Sequence, residues 1–175
     1  MSFKDKLIKF YNNEKVKEII PYIVIILVVI LIRTFIATPV KVNGTSMYST
    51  LNHKDTMILN KIGIKLRDIK RFDIVVIETG DTYLIKRVIG LPGETIEYKK
   101  GKLYINGKKT KDPYYKKNNT DDFKSVRIPK NNYFVMWDNR NNSIDSRIIG
   151  TINKKDITGS TKLIIFPFKN MGLAK

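Results

Sequence analysis

From Ile19 to Ala37 the chain reads IIPYIVIILVVILIRTFIA, and no other stretch constrains its folding as strongly. Nineteen residues come close to the ~20 that a helix needs to cross the ~30 Å hydrocarbon layer of a bilayer. The segment Ile23–Ile32 carries no polar side chain. Pro21 falls in the first turn of such a span, where its missing N–H does little harm. Arg33 lies near the far end, where it can snorkel to the headgroups. Before the run stand Lys4, Lys6, Lys9, Lys15 and Lys17 against Asp5, Glu14 and Glu18, a basic excess that predicts a cytoplasmic N-terminus. A cleavable leader would have an apolar region of about 7–15 residues and then a small-residue site. Here the run is longer and passes straight into Pro39-Val40-Lys41-Val42, a strand pattern. The expectation is a cytoplasmic segment over 1–18, an uncleaved single-pass anchor helix over 19–37 in the cell membrane, and an extracytoplasmic domain over 38–175.

With 175 residues there is room for one modest domain beyond that anchor. The absence of cysteine removes disulfides, thiol nucleophiles and thiolate metal sites. A formal charge of +17 suits either nucleic acid or an anionic lipid or wall-polymer surface. The lysines are scattered and match no nucleic-acid module, so membrane lipid is the expected partner and nucleic acid is not.

Beyond the run the pattern is β. Val40 and Val42 alternate with polar neighbours, and Met57–Asn60, Asp73–Glu78, Asp81–Ile89, Tyr133–Met136 and Lys162–Phe166 are apolar runs of strand length. Leu91-Pro92-Gly93 suits a type II turn. Thr95–Tyr98 and Leu103–Ile105 flank Lys100-Gly101 as a hairpin, and Asn106-Gly107 supplies another tight turn. Residues 108–127 are polar and aperiodic and read as a variable surface excursion. Only Lys154–Ile157 suggests a helical turn. A mostly β domain of barrel or sandwich type follows.

Among the residues able to do chemistry, Ser46 in Gly44-Thr45-Ser46-Met47 and Lys86 in an apolar strand stand out. The chain has a single histidine, His53, so any Ser-His-Asp triad would have to use it. A serine hydroxyl needs a base to take its proton. Lysine serves only when neutral, which requires its pKa of about 10.4 to fall by roughly two to three units through burial. With a period of two, Leu84, Lys86 and Val88 share one strand face while Tyr83, Ile85 and Arg87 share the other. From the residues alone, Lys86 is as well read as an exposed edge-strand lysine, Ser46 as an ordinary turn serine and His53 as a surface turn residue. Met47 reads as core filler.

Four segments in order, Gly44–Leu51, Arg71–Val76, Tyr83–Gly90 and Asp138–Arg147, resemble the boxes of bacterial type I signal peptidases of the Gram-positive kind, peptidase family S26. Ile32-Arg33-Thr34-Phe35 and Phe166-Pro167-Phe168 are similar to that family as well. The resemblance implies an antiparallel β-sheet or barrel domain behind one transmembrane helix. It implies an endopeptidase that removes signal peptides from exported preproteins through a Ser/Lys dyad and an acyl-enzyme, with no cofactor or metal. Ser46 aligns with the nucleophile, Lys86 with the general base and Ser143 with a serine that orients the lysine. Asp145 and Arg147 align with a bracing ion pair that residues two apart on an extended segment can form. The backbone N–H of Ser46 aligns with one oxyanion donor, and Gly44 offers no hydroxyl for a second. Substrate is expected to lie as an extended strand beside Val40, Val42 and Asn43 on one side and Tyr83, Leu84 and Ile85 on the other. Small residues, alanine above all, are expected at the first and third positions before the cut.

Three positions depart from the family: Ser49 where proline is usual, Phe72 where glycine precedes Asp73, and Trp137 where glycine precedes Asp138. An indole at 137 crowds the site or reshapes a substrate pocket. These departures leave open a specialised or catalytically weak relative that acts on, or chaperones, a few secreted subunits such as pilins. A LexA-type self-cleaving regulator shares the chemistry, but a membrane-length run stands where its DNA-binding domain would be.

Overall fold

The computed structural model describes residues 4, 11, 13–80, 82–114, 120–140 and 144–174. They form two compact units, Met1–Ala37 and Thr38–Lys175.

In the first unit the α-helix α1 spans Glu14–Leu31. It starts there because Asn13 caps it, its side chain accepting the Lys15 N–H at 3.1 Å. The helix therefore begins five residues before the apolar run, which moves Pro21 from the expected first turn into the helix interior, where one α-helical hydrogen bond is given up. At Ile32 the winding loosens into a π-helix, Ile32–Ile36, and strand β1 begins at Ala37. The single helix expected over 19–37 is thus an α-helix, a π-turn and the first residue of a strand. Glu14, Lys15, Lys17 and Glu18 occupy the opening turns of α1. No helix among the described residues is long and apolar enough to cross a membrane. None of the α1 side chains is buried.

Two antiparallel sheets make up the second unit. The larger comprises β1 (Ala37–Lys41), β2 (Thr56–Asn60), β3 (Ile74–Thr79), β4 (Thr82–Gly90), β9 (Asn132–Met136), β10 (Ile152–Asn153), β11 (Ile157–Phe166) and β12 (Gly172–Leu173). Its order is β1-β2-β11-β3-β4-β9-β10, with β12 added to β11. The smaller comprises β5 (Thr95–Lys99), β6 (Lys102–Ile105), β7 (Lys108–Thr110) and β8 (Phe123–Arg127), in the order β7-β6-β5-β8. Turn chemistry behaves as the residue types dictate. Lys100-Gly101 and Asn106-Gly107 all take positive φ, the pairing that closes tight hairpins with the right twist. Residues 108–127 are not an aperiodic excursion, because β7 and β8 lie at their two ends and flank the small sheet. The lysine-rich sequence of β7 hides its strand character, since its side chains stay largely exposed and need no apolar alternation. Two short helices, α2 (Gly63–Leu66) and α3 (Ser146–Ile149), were not legible as such.

Three apolar clusters hold the layers. Val42, Met47, Leu51, Leu59, Val76 and Ile85 pack on one side of the large sheet, and Val75, Ile77, Val88 and Val135 in a second cluster. The third joins the sheets, placing Ile89, Phe134 and Met136 against Ile96, Tyr98, Leu103 and Ile105. Gly90 ends β4 at this junction, where a Cβ would come within 2.3 Å of Ile128 Cδ1.

Buried charges tie the layers together. Arg87 on β4 is 1% exposed. Its Nε and Nη2 donate to both oxygens of Asp138 at 2.8 and 2.7 Å, Nη1 donates to the Phe72 carbonyl at 2.8 Å, and the guanidinium lies 3.3 Å from the Tyr114 ring centre. Arg140 is equally buried, paired with Asp112 at 3.0 Å and with the Tyr98 hydroxyl at 3.1 Å. Asp112 falls inside the stretch expected at the surface, yet it anchors that stretch in the interior. Breaking a buried ion pair from one side strands the other charge. Asp138→Ala is expected to cost about 3–5 kcal/mol in urea unfolding, and Arg87→Met with Asp138→Leu together are expected to recover most of that loss. Equal stability of the single and the double variant would contradict this account.

Candidate active site

Ser46 sits in the turn between β1 and β2. Gly44 opens the turn at φ +97°, a conformation that side chains resist. Its N–H donates to His53 Nδ1 at 3.1 Å. The only histidine therefore pins the entrance to the serine turn, a role beyond the surface residue read from sequence. Met47 and Leu51 follow, essentially unexposed, and anchor the turn in the core. The Asn139 N–H donates to the Ser46 carbonyl at 2.9 Å, so the turn is also clamped to the segment after β9.

Lys86 is fully buried on β4, with Val75 as its cross-strand partner on β3. The reading as an exposed edge lysine is thereby excluded. Its amine donates to the Ile144 carbonyl at 2.7 Å and stands 4.7 Å from the centre of the Trp137 ring. Burial lowers its pKa from the usual 10.5 to about 8; Asp145 opposes that shift by favouring the ammonium, and Arg147 adds to it. Arg87, the next residue, takes the opposite side of the pleat to meet Asp138, so two consecutive cations are buried without facing each other.

The segment after β9 supplies the surroundings. Asp145 is unexposed and caps α3, accepting the Arg147 N–H at 3.1 Å. Its two oxygens also receive Arg147 Nε and Nη2, each at 2.9 Å. The pair is bidentate, but it arises from a helix cap and not from the extended segment expected. Arg147 further donates to the Arg140 carbonyl at 2.7 Å, which links this pair to the buried Arg140–Asp112 pair. Ser143 lies outside the described residues. Sequence reasoning did not find the Ile144 carbonyl, and no residue-type signal could have, since a backbone oxygen has no signature.

A cavity of about 620 Å³ opens beside Ser46. Val40, Val42 and Asn43 line one part of it and Tyr83, Leu84 and Ile85 another, all six residues expected beside substrate. Met47 and Trp137 complete the wall around the serine. β1 is the terminal strand of the sheet order. β4 is an interior strand, yet β9 pairs only with Arg87 onward, whereas β3 pairs along Thr82–Arg87. Among the described residues, the first half of β4 thus presents an unpaired edge. Together β1 and this half-edge frame a slot of the kind that accepts an added strand.

Comparison with known proteins places the chain in a family. Residues 16–166 match the family model described as signal peptidase, peptidase S26. Signal peptidase I S of Bacillus subtilis strain 168 is 41% identical, covering 93% of this chain and 97% of the relative. Signal peptidase I T of the same strain is 43% identical over 87% of this chain and 86% of the relative. A signal peptidase I of Bacillus amyloliquefaciens is 40% identical over 87% and 89% respectively. A family match over residues 16–166 and about 40% identity over most of the chain lead to one conclusion: this protein belongs to the signal peptidase family, peptidase S26.

Proposed function

We propose that the protein cleaves signal peptides from exported preproteins, with Ser46 as nucleophile and Lys86 as general base. The observation that carries this reading is the complete burial of Lys86, whose amine is depressed to about 8 and lies against a tryptophan sharing a cavity wall with Ser46. An amine of that kind is neutral often enough to accept a serine proton, which an exposed lysine is not.

In this mechanism the precursor lies extended between β1 and the open half of β4, held by main-chain hydrogen bonds. The apolar lining from Val40, Val42, Leu84 and Ile85 receives small side chains before the scissile bond. Ser46 Oγ attacks the carbonyl carbon as Lys86 Nζ takes its proton. The Ser46 N–H stabilises the oxyanion that develops. Lys86 then returns the proton to the departing amine, leaving an acyl-serine. Water, deprotonated by Lys86, releases the signal peptide and regenerates the hydroxyl. Asp145 and Arg147 hold the segment that carries the Ile144 carbonyl, and the family resemblance assigns the orienting of the lysine to Ser143. The unburied apolar side chains of α1 and the π-turn after it support a role as a single-pass anchor in the cell membrane, with the N-terminus cytoplasmic and the catalytic unit outside.

Cleavage of a precursor with alanine at the first and third positions before the cut tests the dyad. Ser46→Ala and Lys86→Ala are each expected to lower kcat by about 10³-fold or more, and Lys86→Arg to fail equally because guanidinium keeps its proton. Near wild-type cleavage by Lys86→Ala overturns the assignment. The pH dependence has a defined sign. The base works unprotonated, so kcat/KM is expected to rise with pH through about 8 and to fall about tenfold per unit below it. A limb midpoint about two units or more below that overturns Lys86 as the base.

A further inference from the structure

Trp137 is the side chain in this site whose chemistry the mechanism leaves unused. Its ring face stands 4.7 Å from the Lys86 amine. Its indole Nε1–H donates to the Ile144 carbonyl at 2.8 Å, and that same oxygen accepts the Lys86 amine at 2.7 Å. Its other surroundings are the cavity shared with Ser46 and the apolar cluster of Val42, Met47 and Ile85. One side chain thus lies over the base, shares the base's hydrogen-bond acceptor, and lines the cavity that holds Ser46.

We propose that Trp137 is the positioning residue of the general base: its indole closes the slot side of Lys86 against water and fixes the carbonyl on which the amine rests. This rests on the assignment of Lys86 as the base. The geometry makes the indole both a hydrophobic cover and a steering group. Lys86 has Val75 as its cross-strand partner, and Trp137 is the cavity-lining side chain whose ring lies over its amine. Small side chains at 137 open that side to solvent. The charged groups acting on the amine are Asp145, which favours the ammonium, and Arg147, which disfavours it; both come from the segment beyond β9 and pair with each other.

Two effects of the ring oppose each other. Excluding water disfavours the ammonium, whereas the negative face of the indole attracts it. Burial is the largest cause of the amine's displacement, and in this proposal the cover supplied by the ring outweighs its cation–π attraction. Direction follows from that balance. Trp137→Ala moves the amine back toward an ordinary lysine, and Trp137→Phe keeps the cover and the ring face while removing only the Nε1–H donor.

The test uses the full chain in detergent micelles, with two readouts on the wild type, Trp137→Ala and Trp137→Phe. The first is the pH profile of kcat/KM on an alanine-rich precursor between pH 6 and about 10.5, bounded above by the ordinary lysine range. The second, free of substrate, is the NMR titration of the Lys86 amine, assigned by its loss in Lys86→Met. For Trp137→Ala both midpoints are expected to rise by about one unit or more, with kcat/KM at pH 7 reduced about tenfold and the deficit closing at high pH. For Trp137→Phe the midpoints are expected within about 0.3 unit of wild type, with kcat alone lowered by the lost donor. Unchanged or lowered midpoints in Trp137→Ala overturn the proposal, as does a rise in Trp137→Phe as large as in Trp137→Ala. A Trp137→Ala deficit that is uniform in pH also overturns it, because that marks a packing role alone. Unfolding curves of the two variants confirm that folded protein is compared. Cleavage retained by Lys86→Ala would refute the dyad instead, and the substrate-free titration would still report on the tryptophan.

Discussion

Two consecutive cations on β4, Lys86 and Arg87, are buried, and the arrangement of the catalytic unit follows from the different ways in which they are accommodated. A buried charge must be paired or must lose its proton. The pleat sends the two side chains to opposite faces, so each is treated separately. Arg87 keeps its charge, because guanidinium cannot release it, and the structure surrounds it with Asp138, the Phe72 carbonyl and the Tyr114 ring. Lys86 meets a carbonyl and an indole, among the described residues no carboxylate pairs directly with it, and burial depresses its amine. The same strand thereby supplies a permanent strut and a titratable group one residue apart.

The segment from Trp137 to Arg147 makes both outcomes possible. It contributes Asp138 to Arg87, the Ile144 carbonyl to Lys86, the Asn139 N–H to the Ser46 turn and Arg140 to Asp112 just beyond β7. Asp145 and Arg147 lock its far end through a bidentate pair that also caps a short helix. The described residues of this segment ahead of the short helix lack regular structure and are held by charge-assisted bonds in place of a ladder. Phe72 belongs to the same assembly: it adopts φ +69°, the left-handed region, while its ring packs on the cluster that joins the two sheets. A glycine would meet this backbone requirement without strain, so here the ring contacts must offset it.

Much of the fold was legible because strands have a period of two and turns have strong residue preferences. The runs around Ile74–Glu78, Leu84–Ile89 and Tyr133–Met136 needed nothing more, and the paired positive φ values at Lys100-Gly101 and Asn106-Gly107 follow from residue type. β7 and β8 were missed because small-sheet strands with exposed lysines lack apolar alternation. The helical run at the N-terminus was mistaken in its limits, since Asn13 capping and the π-turn at Ile32 are decided by local hydrogen bonding that hydropathy does not register.

What the residues alone determined is the inventory: a serine in a glycine-opened turn, a lysine in an apolar strand, one histidine, no thiol, and β periodicity over most of the chain beyond its long apolar run. Those follow from short-range chemistry, which a linear reading can weigh. Only the tertiary structure decided that the lysine is fully buried, that an indole and a backbone carbonyl from fifty or more positions away meet its amine, and that half of an interior strand keeps an open edge. Burial and pairing are set by what other segments bring to a point in space, and the free energy of a buried charge depends on that convergence and not on its neighbours in sequence.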